Sequence, residues 1–208
     1  MWLGLVKVAP GGGGPDQPAR REWWFGSDPY TLALWLFLAS LTALFAPLLV
    51  SYLKLRLEAA VWPPPGMPPL PRGLWLSTAA LLGVSGCLHA ALRSVQHDGL
   101  LALRRWMLAA AALALTFLLS QALCWKQLLD HKFPMQAWQL AGLFTFFAAL
   151  HAVHVTGGLA PLLLVMHRSL RGRYSRRHYD GVRLCAIYWH FLDAVWLVMF
   201  TAMMLPSG

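Results

Sequence analysis

The chain alternates between long apolar blocks and short breaks that are polar or rich in glycine and proline. A window of about 20 apolar residues, the length of helix that crosses a bilayer, fits it five times: at residues 30–53, 73–93, 105–128, 138–167 and 184–205. The pattern therefore predicts an all-α fold, an integral membrane bundle of five transmembrane helices. The fourth block is longer than a bilayer needs, so its helix should tilt or project into water at one end. Pro47 removes a backbone hydrogen bond and should bend the first helix near its end. Gly157, Gly158 and Pro161 should weaken the fourth about a turn beyond His154.

The breaks set the organisation. Residues 1–29, with the string "GGGGPDQP", read as a solvated tail, and residues 30–208 as the membrane domain. The start has no basic cluster and only a short apolar run, so no signal peptide is predicted. The string "WPPPGMPPLPRG" between the first two blocks reads as an extended connector.

Composition agrees with this picture and adds an orientation. Of the 208 residues, 58% are hydrophobic and 12% charged, against about a quarter charged in soluble domains. Twelve of the 17 Lys and Arg residues fall in the tail, the second break and the fourth break, and five fall on the other side. The excess of basic residues on cytoplasmic loops then predicts a cytoplasmic N-terminus and a periplasmic C-terminus. It also accounts for the net charge of +9 through anionic lipid headgroups, and no nucleic-acid partner is expected. Arg168, Arg171, Arg173, Arg176, Arg177 and Arg183 gather in or beside the fourth break and are candidates for binding lipid phosphate.

Polar residues inside the blocks carry the candidate chemistry, because ionisable groups in a membrane are costly. His151 and His154 stand three apart, on one helical face, in "ALHAVHVTGG". They could ligate a metal or haem together with His89 or His190 from other helices, or bridge helices as neutral hydrogen-bonding groups. A di-iron site would need more histidines and carboxylates than one pair supplies. In the bridging reading, His151 and His154 each find a partner on a neighbouring helix, with Gln121, Ser77, Thr78 and Ser85 as candidates, or a buried water. His190 and Asp193 form a second pair at the same spacing, either part of a proton relay or a pin that fixes helix rotation, and are expected to face protein. Cys87, Cys124 and Cys185 lie in three different blocks with no Cys-x-x-Cys pairing, and read as small apolar fillers.

Two strings together resemble a known family. His151, His154, Val155 and Gly158, then Tyr188, Trp189, His190, Phe191, Asp193, Val195 and Trp196 are similar to the paired helix signatures of subunit III of the haem–copper respiratory oxidases. Looser likenesses include "LWLFLAS", "STAALLGVSG" and Gln121 in "FLLSQALCW". The resemblance implies a five-helix bacterial subunit of the inner (plasma) membrane, without an active site or cofactor of its own. It would pack against catalytic subunit I and the other oxidase subunits, which hold haem and copper, and would bind phospholipid and support sustained turnover. His151, His154, Gly158, Gln121, Trp189, His190, Asp193 and Trp196 become its helix-packing residues. Leu41, Cys124 and Arg183 stand where the family commonly has acids, which marks a divergent member. An accessory subunit of a nitric oxide reductase, and a self-contained haem b membrane protein, remain the alternatives.

Overall fold

In the computed structural model, described at residues 29–58, 73–129, 138–176 and 178–204, the chain forms five helices. They are α1 (Pro29–Glu58), α2 (Gly73–Gln96), α3 (Leu100–Leu129), α4 (Trp138–Leu170) and α5 (Asp180–Met204). All five are long and apolar enough to cross a membrane, and no strand is present among the described residues. The expected tail, apart from Pro29, and the proline-rich connector lie outside those residues.

Most helices outrun their apolar windows: α1 continues to Glu58, α3 begins at Leu100, α4 ends at Leu170 and α5 begins at Asp180. Intrahelical bonding satisfies the backbone where the polar ends pass through the headgroup layer. The expected weakening beyond His154 does not interrupt α4, which runs through Gly157, Gly158 and Pro161, and α1 likewise runs through Pro47. Without water to receive freed carbonyls, breaking the helix costs more than one missing bond.

The helices alternate in direction. At one end of the bundle, α2 turns into α3 through Asp98, which adopts a positive φ of 57°, and the Gly99 amide caps α2 on the Ser94 carbonyl at 2.8 Å. The α4–α5 connection meets this turn, with the Arg176 amide on Asp98 Oδ1 at 3.3 Å and Arg104 Nε on the Ser169 carbonyl at 3.2 Å. At the opposite end, Ser120 Oγ of α3 donates to the Gly73 carbonyl at the start of α2, at 2.9 Å.

The tightest seam joins α2 and α3. Leu81, Val84, Leu88, Ala91 and Val95 meet Leu103, Met107, Ala110, Ala114 and Phe117, all buried, at the alternating three- and four-residue spacing of an antiparallel helical pair. Gly83 keeps the backbones close, since a Cβ there would stand 2.9 Å from Leu113 Cδ1.

Helix α1 is peripheral. Only 17% of its most apolar window is buried, against 33–50% in the other four, and it packs on α4 and α5 alone. Two arginines tie it to α5. Near its start, Thr31 Oγ1 accepts from Arg183 Nη2 at 2.9 Å. Near its end, buried Arg56 donates through Nη1 to the carbonyls of Ala202 and Met203 in the last turn of α5, whose terminal carbonyls have no helical partner and carry the negative end of the dipole. Arg56→Leu should therefore lower stability by about 1.5–3 kcal/mol, the worth of a charge-assisted hydrogen bond, and free the end of α1. Hydrogen exchange confined to residues 50–58 is the expected readout.

Candidate functional site

His151 sits at the centre of the bundle with no solvent exposure. Its ring lies 6.4 Å from Phe45 of α1, 5.9 Å from Phe117 of α3 and 5.3 Å from Trp196 of α5, between centroids. Trp196 is fully buried, packs edge-on against Phe117 at 5.3 Å, and donates its indole N–H to Thr78 Oγ1 of α2 at 3.0 Å. One imidazole and three aromatic rings thus draw all five helices together.

Direct hydrogen bonds from the histidine pair to side chains of neighbouring helices are absent among the described residues. Neither ring nitrogen of His151 has a hydrogen-bond partner among the described residues, and His154 Nδ1 bonds its own helix at the Leu150 carbonyl, 2.7 Å away. Three of the four candidate partners are engaged elsewhere. Ser77 bonds Gly73 and Ser120, Thr78 serves Trp196, and Ser85 serves His190. Gln121 is buried with Nε2 unpaired. The α2 hydroxyls turn toward α3 and α5, and the His151 face of α4 meets carbon instead.

One turn farther on, α4 and α5 cross at Gly158. A Cβ there would lie 2.5 Å from Tyr188 Cε1 and 3.5 Å from Leu192 Cδ1. Two α5 side chains fasten the crossing, Tyr188 Oη to the His154 carbonyl at 2.9 Å and Trp189 Nε1 to the Gly158 carbonyl at 3.3 Å. The small residue and the two aromatics are thus one fitting, and a Gly in α4 facing a Tyr-Trp pair in α5 is what the two sequence signatures encode.

The second polar pair divides. Asp193 is buried, 7% exposed, whereas His190 is exposed and bonds Ser85 Oγ of α2 through Nδ1 at 2.5 Å. Asp193 Oδ1 is buried with no hydrogen-bond partner among the described residues. Asp193 is buried within the bundle, and His190 stands on the outward side of α5 beside α2.

The basic residues also separate. Arg168 and Arg173 line a cleft of about 300 Å³ with Tyr174, His178, Asp180 and Gly181. Burial pushes the Tyr174 phenol above its ordinary range, with the charge of Arg168 opposing. Arg171 and Arg176 are exposed elsewhere on the connection, and Arg177 lies outside the described residues. Arg183 turns to Thr31 and, at 3.8 Å, to Asp180. No group of three or more His, Cys, Asp or Glu side chains among the described residues is placed to hold a metal ion. Arg56 escaped the sequence reading, since its partners lie 146 and 147 residues away and a basic residue at the end of a span looks like any interfacial charge.

Comparison with known proteins bears on this arrangement directly. The family described as "Cytochrome c oxidase subunit III" matches residues 27–207. The cytochrome c oxidase subunit 3 of Synechocystis sp. is 32% identical over 167 residues, 79% of this chain and 70% of the relative. That of Thermostichus vulcanus is 30% identical over 175 residues, 84% of this chain and 86% of the relative. The probable cytochrome c oxidase subunit 3 of Mycobacterium tuberculosis is 27% identical over 169 residues, 79% of this chain and 82% of the relative. With its signature residues meeting at the α4–α5 crossing and the match running through all five helices, the chain belongs to the cytochrome c oxidase subunit III family.

Proposed function

We propose that this chain serves as the non-catalytic third subunit of a respiratory terminal oxidase, packed against the catalytic subunit I, with the haem and copper of the complex held by its partners. The observation that carries the reading is the family match over residues 27–207, joined to a centre made of packing groups: His151 is enclosed by Phe45, Phe117 and Trp196 rather than by further metal ligands. Its work is then mechanical, to hold the catalytic subunit in shape through repeated turnover. Membership implies a complex with other oxidase subunits, and the relatives' names favour it over a nitric oxide reductase accessory subunit or a self-contained haem b protein. The skew of basic residues supports a bacterial inner (plasma) membrane location with the N-terminus cytoplasmic.

Phospholipid belongs to this reading. The cleft at Arg168 and Arg173 offers guanidinium groups at the bundle end that carries most of the positive charge, and such groups match phosphate geometry. A separate apolar groove between α1, α4 and α5, lined by Phe45, Leu49, Phe147 and Val198 among others, is suited to hydrocarbon chains. Purification of the tagged chain from its native membrane in mild detergent tests both parts. A haem–copper oxidase should elute with it in equal amount. The Arg168→Gln, Arg173→Gln double variant should elute with less phosphorus per complex and inactivate sooner during turnover. Elution without an oxidase would refute the reading, and unchanged phosphorus and lifetime would refute the assignment of these two arginines.

A further inference from the structure

A polar patch lies open in the middle of the bundle wall, on the face shared by α2 and α5. Ser85 is the thirteenth of the 24 residues of α2, and His190 the eleventh of the 25 of α5, so both stand about 15–18 Å along their helices, near mid-membrane. His190 and His89, one turn past Ser85, are both exposed. The Ser85 hydroxyl holds His190 through Nδ1, which leaves Nε2 as the ring nitrogen available for an outward hydrogen bond.

Hydrocarbon cannot meet such a patch. Exposed ionisable groups within spans are rare and turn toward protein or a water-filled cavity. The surface beside the two imidazoles is shaped for a helix. Around Gly86 a Cβ would meet nothing within 4 Å, and Ala79, Leu82, Gly86 and His89 recur on one exposed stripe of α2, a spacing that admits close helix approach. Leu115 and Leu119 of α3 and Leu163 and Leu164 of α4 present exposed apolar side chains, which suit lipid.

We infer that the α2–α5 face is where this chain docks a transmembrane helix of the core oxidase, one that presents a hydroxyl or amide side chain to His190 Nε2 and His89 at mid-membrane. A hydroxyl or amide serves whichever tautomer the imidazoles adopt, since it both donates and accepts. The inference rests on the proposed role as an oxidase subunit and adds to it the face and the chemistry of the contact.

Photo-crosslinking in the intact complex tests it. With p-benzoylphenylalanine in place of Leu82, the adduct should be a peptide from a transmembrane helix of another oxidase subunit, whereas the same probe at Leu115 or Leu164 should label lipid. Adducts from Leu82 to lipid, or to a second copy of this chain, would overturn the inference. His190→Leu should lower the oxidase recovered with the chain by roughly tenfold, about the worth of one interhelical hydrogen bond, and His190→Gln should restore most of it. Equal recovery from both variants would also overturn it. If His190→Leu fails to fold, the Leu82 adduct decides the matter alone. Failure of the wild-type chain to bring down any oxidase would instead defeat the proposed role, while an intact complex crosslinked to protein through α3 or α4 would defeat only the choice of face.

Discussion

Gly158→Val is expected to separate α4 from α5 and leave little chain in the membrane. The Cβ alone would stand 2.5 Å from Tyr188 Cε1 and 3.3 Å from Cδ1. Tyr188 cannot swing clear without giving up its bond to the His154 carbonyl, and Trp189 is held to the Gly158 carbonyl itself. Overpacking of this kind costs about 1–3 kcal/mol, and the loss of one or both aromatic hydrogen bonds adds to it. Ala at 158 should show a smaller loss in the same direction. A paired Gly158→Ala, Tyr188→Leu variant, which removes the ring in the way, should recover part of the stability. Accumulation in membranes and the thermal midpoint of the detergent-solubilised chain report both effects.

Trp196→Ala is the second large effect. The side chain is fully buried, touches Phe117 and His151, and provides the hydrogen bond that joins α5 to Thr78 of α2. Truncating a buried Trp costs about 3–5 kcal/mol, and Thr78 also loses the partner that α5 supplied. Trp196→Phe keeps much of the apolar contact and gives up the indole N–H, so it should fall between the wild type and Ala. Urea or SDS titration followed by circular dichroism would rank the three, with Trp196→Ala lowest. If Trp196→Phe matched Trp196→Ala, the hydrogen bond to Thr78 would outweigh the packing.

The five helices were legible because a bilayer demands long runs of apolar residues, and such runs are visible in a linear string. The α4–α5 crossing was legible for a different reason: Gly158, Tyr188 and Trp189 are residue types that close packing of aromatic and backbone requires, and they came in a recognisable order. What the sequence concealed was rotation. An i, i+3 spacing puts His151 and His154 on one side of α4 but does not say which neighbour that side meets, and the polar residues of α2 turn to α3 and α5 instead. The same blindness split the His190–Asp193 pair, one buried and one exposed, although the spacing made them look equivalent. Arg56 was out of reach altogether, since its role as a cap on α5 exists only once the ends of the first and last helices stand side by side. The continuous course of α4 past Gly157, Gly158 and Pro161 has another origin, since local propensity argued for a weakened helix and the dry surroundings favour intact hydrogen bonding.

Haem and copper content, measured before and after the chain is stripped from its complex, decides whether a redox centre resides in this chain or in its partners. The complex that purifies with the tagged chain should contain haem and copper and reduce oxygen. After separation in stronger detergent, the haem and copper should remain with the partner subunits, and the isolated chain, wild type or His151→Leu, should show no Soret band. A stoichiometric Soret band in the isolated wild-type chain that disappears in His151→Leu would contradict the account and make the enclosed imidazole a ligand.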